Sequence, residues 1–330
     1  MCSNATGRKR GVKMKIRKVL ISLVACFTLS CFIHVTVARA DELVSDGKAA
    51  VLIEAQTGNV LYEKNAHEQF APASMTKMMS MYLILEAIEN GSMKWDEVIR
   101  VSEHAASLGG SQVFLKPGEE MSVKDLFKSI AIASANDAVT ALAERVAGTE
   151  EKFVEQMNEK AKELGMKNTE FKNPTGLSTK GHLTTAYDMS IIGRHLVQDY
   201  PEITEFSGLY EDYIRQDTES PFWLVNTNKL LKYVDGVDGL KTGYTKEAGY
   251  CLTATANRDD MRVIAVVMGA SKSDIRNQEV ARLIEYAYEQ YELVPKLEDQ
   301  KLVSTGYNLL AKNRQFDIVT SEQITLLKKK

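Results

Sequence analysis

The sequence predicts an α+β fold: an antiparallel sheet flanked by helices, with a helical region inserted between its early and late strands. Two observations carry this. Apolar segments of strand length, bounded by turn residues, occur early and again late in the chain. Between them, apolar residues recur at helical spacing. With 330 residues, 44% hydrophobic and 26% charged, the chain can bury one large core or two smaller ones. A formal net charge of -3 provides no basic footprint for nucleic acid, so that partner class is set aside. No cofactor and no metal are expected.

The first forty residues stand apart. Arg8, Lys9, Arg10, Lys13, Lys15, Arg17 and Lys18 form a basic leader, Val19 to Val37 is apolar, and Ala38-Arg39-Ala40 supplies small residues for cleavage. This pattern is an export signal over residues 1–40, with a mature chain from near Asp41. Met14 is an alternative start, because everything the signal requires follows it. Cys2, Cys26 and Cys31 lie in the leader, which leaves Cys251 alone and no intramolecular disulfide. Its apolar neighbours predict a small buried strand residue.

In the body of the chain, Ala49–Glu54 and Val60–Glu63 read as a hairpin around Thr57-Gly58-Asn59. A helix over Met75–Glu89 is closed by Asn90-Gly91, and further helices are expected at 123–133, 137–147, 150–164 and 185–198. Strands return at Gly239–Thr242, Gly249–Ala256 and Arg262–Met268, the last two joined by the polar turn Asn257-Arg258-Asp259-Asp260. An amphipathic helix from Ser273 to Tyr291 ends a catalytic domain spanning 41–292. Residues 293–330 carry short, weakly alternating pieces, too few to bury a core. They are expected to begin a C-terminal β-rich domain that stays incomplete.

Three short motifs carry chemistry. Ser74-Met75-Thr76-Lys77 opens the first helix, Ser134-Ala135-Asn136 falls between two helices, and Lys241-Thr242-Gly243 lies on a late strand. A second Ser-x-x-Lys, Ser45-Asp46-Gly47-Lys48, precedes a strand and has no helix to bring its lysine over its serine. At Ser74 the helix begins, so positions i and i+3 share a face and Lys77 can reach the hydroxyl. A serine attacks only when a base removes its proton, and lysine is a base only when neutral. Burial and a second cation, Lys241, both lower a lysine pKa. Ser134 can relay a proton to a leaving amine, and Asn136 can donate a hydrogen bond to a substrate backbone. Lys241 and Thr242 offer a charge and a hydroxyl to a carboxylate, and Gly243 clears space at the strand edge. The backbone N–H groups of Ser74 and Tyr244 are candidate oxyanion donors.

This set resembles the low-molecular-mass penicillin-binding proteins of the serine D-alanyl-D-alanine carboxypeptidase type. The runs Gly110–Gly118, Asn173-Pro174-Thr175-Gly176-Leu177 and Asp238–Thr245 strengthen the likeness, which extends from about Ala49 to Tyr291. The resemblance implies a β-lactamase/transpeptidase-like fold, a peptidoglycan stem peptide ending in D-Ala-D-Ala as substrate, and β-lactam antibiotics as acylating inhibitors. It also implies that Arg276 helps hold the terminal carboxylate. Its alternative is an exposed arginine at a helix start. Relatives usually continue through a full β domain into a membrane-binding amphipathic helix, so membrane attachment is left open. Ser-Ala-Asn replaces the frequent Ser-Gly-Asn, a change of one methyl group.

Two other functions compete. A β-lactamase needs a deacylating base on a mid-chain loop, and the local candidate, Glu170 in Glu170-Phe171-Lys172-Asn173, lacks the usual Glu-x-x-Leu-Asn spacing. It is expected to be a solvated loop residue. A catalytically silent peptide-binding module would have no need of an activated nucleophile.

Overall fold

Residues 43–297, 302–307, 315–319 and 324–330 are described by a computed structural model. The export signal expected over residues 1–40 lies outside them. The early strands β1 (Ala49–Glu54) and β2 (Val60–Lys64) form the predicted hairpin. Short pairs follow: β3 (Val98–Arg100) with β4 (Glu120–Ser122), and β5 (Glu211–Ile214) with β6 (Phe222–Val225). These were not foreseen, since three or four residues give too little alternation to register. The late strands β7 (Val237–Thr245), β8 (Gly249–Arg258) and β9 (Met261–Ala270) complete a sheet of order β2-β1-β9-β8-β7, antiparallel throughout. Asp259 and Asp260 both take positive φ in the tight β8–β9 turn.

The sheet is buried on both faces, and β1 shows why its sequence is apolar throughout. Ala49, Val51 and Ile53 pack against the helices inserted between β2 and β7, while Ala50 and Leu52 pack toward the Ser273–Gln290 helix. Strand alternation thus serves two cores. On the far side Val280, Leu283, Ile284 and Ala287 lie along one helical stripe against Leu252, Ala254 and Val267. The helical insertion holds Lys77–Glu89, Val123–Ala133, Asn136–Ala147, Glu150–Glu163 and Ala186–Asp199, within a residue or two of the expected spans at most ends. Ser122, Thr149 and Thr185 cap three of these helices, each hydroxyl accepting a backbone N–H three residues on.

One start differs. The α-helix begins at Lys77, and Ser74 sits in a separate 3-10 turn, Ala73–Thr76, that enters through Ala73 at φ 48°. The tighter turn keeps Ser74 and Lys77 on one side but places the serine outside the α-helix. Past the last helix, β10 (Tyr291–Leu297) pairs with β13 (Ile324–Lys329), and β11 (Leu302–Tyr307) with β12 (Gln315–Val319). Among the described residues no helix is long and apolar enough to cross a membrane.

The Ser45–Lys48 decoy has a structural task. Buried Glu279 accepts the backbone N–H groups of Ser45, Asp46 and Gly47 at 2.7, 2.7 and 2.9 Å, and so binds the segment before β1 to the last helix. Glu279→Ala would leave these donors without their acceptor. It is expected to destabilise the protein by about 3 kcal/mol, measured by urea unfolding.

Candidate active site

Lys77 is fully buried, and its ammonium nitrogen lies 3.1 Å from Ser74 Oγ and 2.6 Å from the Thr175 carbonyl oxygen. Burial first, and the Lys241 charge second, push its pKa well below the ordinary lysine range, against an opposing pull from Asp137. The expected base is therefore within hydrogen-bond reach of the expected nucleophile, in surroundings that favour the neutral amine. Ser74 itself is only partly buried.

The serine turn is wedged between two glycines. A Cβ on Gly176 would lie 1.9 Å from the Ala73 carbonyl oxygen, and Gly176 has φ 82°. On the other side, a Cβ on Gly243 would lie 2.9 Å from the Pro72 carbonyl oxygen. The space a side chain at Gly243 would need is thus filled by the serine turn itself. Gly176 is held by Asn173, whose Oδ1 accepts the N–H groups of Thr175 and Gly176 while Nδ2 donates to the Leu177 carbonyl. The Asn173–Leu177 run therefore shapes the loop that carries the Thr175 carbonyl to Lys77. Behind the turn, His182 Nδ1 accepts the Lys172 N–H, which leaves Nε2 to donate to Thr76 Oγ1 at 2.8 Å. Burial, then the Lys172 charge, pushes the His182 pKa down to about 4, so this neutral form holds at neutral pH.

Ser134 ends the Val123–Ala133 helix in the left-handed region, φ 64°, and its Oγ is buried without a hydrogen-bond partner among the described residues. Asn136 Nδ2 donates to the Gly109 carbonyl at 2.6 Å, and Oδ1 is buried with no partner among the described residues. Sequence alone offered Asn136 as a donor; the atom it leaves available here is an acceptor. Asp137, next in the chain, was missed. Its carboxylate accepts the N–H groups of Val113, Leu115 and Ala138, so it staples the 109–115 loop to the Ser-Ala-Asn turn. An acidic residue at a helix start beside a long loop was the available signal.

On β7, Lys241 is buried, and its ammonium donates to the Thr242 carbonyl at 3.2 Å. Burial, and then the Arg276 charge, lower its pKa to about 7. Arg276 is 5% exposed, which overturns the alternative of an exposed helix-start arginine. Its Nη1 donates to the Cys251 carbonyl, and burial lowers its pKa to about 10. Thr242 Oγ1 lies 2.5 Å from Thr227 Oγ1. The Tyr244 ring is exposed and stacks on Tyr250 at 4.3 Å. Cys251 is fully buried, with its thiol pushed up to about 11 by burial, as its strand setting predicted. Glu170 is exposed and paired with Lys172.

Gly176→Ala is expected to force the serine turn outward, with a stability loss of about 2–4 kcal/mol and slowed acylation of Ser74 by penicillin. Thermal unfolding and a stopped-flow acylation assay would check both parts.

Residues 35–272 match the family model for D-alanyl-D-alanine carboxypeptidase, peptidase S11. The chain is 51% identical over 320 residues to the D-alanyl-D-alanine carboxypeptidase DacF of Bacillus subtilis (strain 168), covering 97% of this chain and 82% of that protein. Penicillin binding protein 5 from Haemophilus influenzae superposes with a TM-score of 0.78 at 31% identity, over 86% of this chain and 83% of that one. Ampicillin-bound Penicillin-Binding Protein D2 from Listeria monocytogenes gives 0.67 at 33% identity, over 74% and 98%. A match of this extent, over a fold that brings the serine turn against the Lys-Thr-Gly strand, has one meaning: the chain belongs to the D-alanyl-D-alanine carboxypeptidase family, peptidase family S11.

Proposed function

We propose that this chain is a serine D-alanyl-D-alanine carboxypeptidase, removing the terminal D-alanine from peptidoglycan stem peptides through an acyl-enzyme on Ser74. The observation that carries this is the buried Lys77 amine, 3.1 Å from Ser74 Oγ and biased toward its neutral form. Lys77 takes the hydroxyl proton as Oγ attacks the carbonyl carbon of the penultimate D-alanine. The N–H groups of Ser74 and Tyr244 receive the oxyanion. Ser134 relays that proton from Lys77 to the leaving nitrogen, the peptide bond breaks, D-alanine departs, and Lys77 is neutral again. Water then attacks the ester and gives a proton to Lys77, which passes it to Ser74 Oγ as the C–O bond breaks and the shortened peptide acid is released.

Lys241, Thr242 and Arg276 take the terminal carboxylate of the substrate. Gly243 lets the serine turn approach β7, and Asn136 offers Oδ1 to a substrate amide N–H. A β-lactam presents a similar carbonyl and carboxylate and acylates the same serine. The exposed position of Glu170 and its pairing with Lys172 disfavour it as a β-lactamase deacylating base. A silent binding module would gain nothing from a lysine held beside a serine in this way. The leader over residues 1–40 directs the protein across the cytoplasmic membrane, to the side where its substrate is found.

Mixed with benzylpenicillin, the protein is expected to form a persistent one-to-one adduct by intact mass spectrometry. Ser74→Ala should form none, and Lys77→Ala should acylate at least about a hundredfold more slowly. A Lys77→Ala variant acylating at the wild-type rate would remove Lys77 as the base.

The pH dependence has a definite sign. Lys77 works when deprotonated, so kcat/KM for a D-Ala-D-Ala peptide rises through its lowered pKa. Lys241 holds a carboxylate when protonated, so kcat/KM falls as pH passes about 7. Arginine keeps its charge at higher pH, and Lys241→Arg is expected to move the alkaline limb up by more than about one unit.

A further inference from the structure

Residues 169–184 form a loop that grips the serine turn along its length. Its base is closed by backbone pairs, in which Phe70, just before the turn, exchanges hydrogen bonds with Thr184, and Glu170 exchanges them with Leu183. Within the loop, Gly176 lies against Ala73, the Thr175 carbonyl accepts from Lys77, and the Pro174 carbonyl accepts from Ser80, one turn along the helix. These are contacts of the loop backbone. His182 reaches the turn with its side chain.

His182 is 3% exposed, and the residue it meets, Thr76, is fully buried next to Lys77. The Thr76 hydroxyl stands where the α-helix begins but caps none of its N–H groups, and its hydrogen-bond partner among the described residues is His182 Nε2 at 2.8 Å. The ring is held from its other side as well. Nδ1 accepts the Lys172 N–H at 3.2 Å, and the buried Phe171 ring crosses the imidazole at 76° with 5.8 Å between centroids. Phe171 is in turn fixed to the Glu150–Glu163 helix, where Asn158 accepts its N–H and donates to its carbonyl. A continuous set of contacts thus runs from that helix, through Phe171 and His182, to a residue lying between Ser74 and Lys77.

We propose that His182 is a positioning residue for acylation: by donating to Thr76 it holds the serine turn at the separation over which Lys77 takes the Ser74 proton. This rests on the roles of Ser74 and Lys77 given above. The Lys77 amine is 3.1 Å from Ser74 Oγ. Proton transfer needs a heavy-atom distance of about 2.6–3.2 Å, so the pair stands near the far end of that range and a small outward shift of the turn slows the step sharply. His182 lies behind the turn and acts through Thr76 rather than on the reacting atoms. Losing its N–H therefore slows bond formation and leaves the preceding binding of a β-lactam nearly unchanged.

Two amide side chains separate the two contacts of the ring. Glutamine is long enough to offer Thr76 an N–H in place of Nε2, whereas asparagine keeps only an acceptor for the Lys172 N–H in place of Nδ1. Stopped-flow acylation over a range of benzylpenicillin concentrations gives the acylation rate constant separately from the dissociation constant of the complex that precedes it, and thermal unfolding shows that each variant is folded. His182→Asn is expected to lower the rate constant at least about tenfold with the dissociation constant within about twofold of wild type, and His182→Gln to recover most of that loss. Thr76→Val removes the acceptor and leaves the ring in place, so it should be as slow as His182→Asn, and the double variant no slower than either. A wild-type rate in His182→Asn, equal slowing in His182→Gln and His182→Asn, or losses that multiply in the double variant overturn the positioning role. Thr76→Val carries the same test where His182→Asn fails to fold, and a wild-type rate in it overturns the role as well. A wild-type protein that takes no benzylpenicillin overturns the Ser74 and Lys77 assignment instead, and the positioning role with it.

Discussion

A cluster of buried basic groups at one edge of the sheet governs this site. Lys77, Lys241 and Arg276 are all almost wholly removed from solvent, and the nearby acid, Asp137, has its carboxylate committed to backbone N–H groups. Each cation makes its neighbour's proton easier to lose: Lys241 acts on Lys77, and Arg276 on Lys241. The same cluster favours an anion at this edge of the sheet, and in the proposed mechanism that anion is the substrate carboxylate. In that mechanism, base activation and substrate recognition share one physical origin. Such an arrangement costs stability, and the apolar cores on both faces of the sheet offset it.

Holding those charges in register is the work of backbone rather than of side-chain pairing. The Lys77 amine rests on the Thr175 carbonyl, and the Lys241 amine on that of Thr242. The serine turn is confined because Gly176 and Gly243 allow two other segments to come into contact with it. His182 closes the third side through Thr76. Small residues and carbonyl groups therefore set the geometry, and the charged groups occupy it.

The sheet, its order of early and late strands, and the inserted helices were all legible in the sequence, because strand and helix periods differ and the segments are long. The three motifs were legible because each needs its residue types at fixed spacing on a particular element. Other features depended on contacts that spacing does not encode. Ser74 belongs to a 3-10 turn rather than to the α-helix, since Ala73 enters at positive φ where Gly176 approaches its carbonyl closely. Asp137 reads as an ordinary first-turn acid, and only the fold shows the loop it fastens. Glu279 likewise reads as one acid among several on an amphipathic helix, although it is completely buried.

The bond from Glu279 to the residues before β1 spans 232–234 positions of sequence, and β1 itself pairs with β9 rather than only with its hairpin partner. A chain made from its N-terminus carries β1 with one edge open until β9 has emerged, and Gly47 without its acceptor until the last helix has followed. Long-range closure of this kind is slow to nucleate, because loop entropy is lost before the contacts repay it. The five-stranded sheet is therefore completed only after most of the chain has been made, and its first strand waits through nearly that whole length for its second partner.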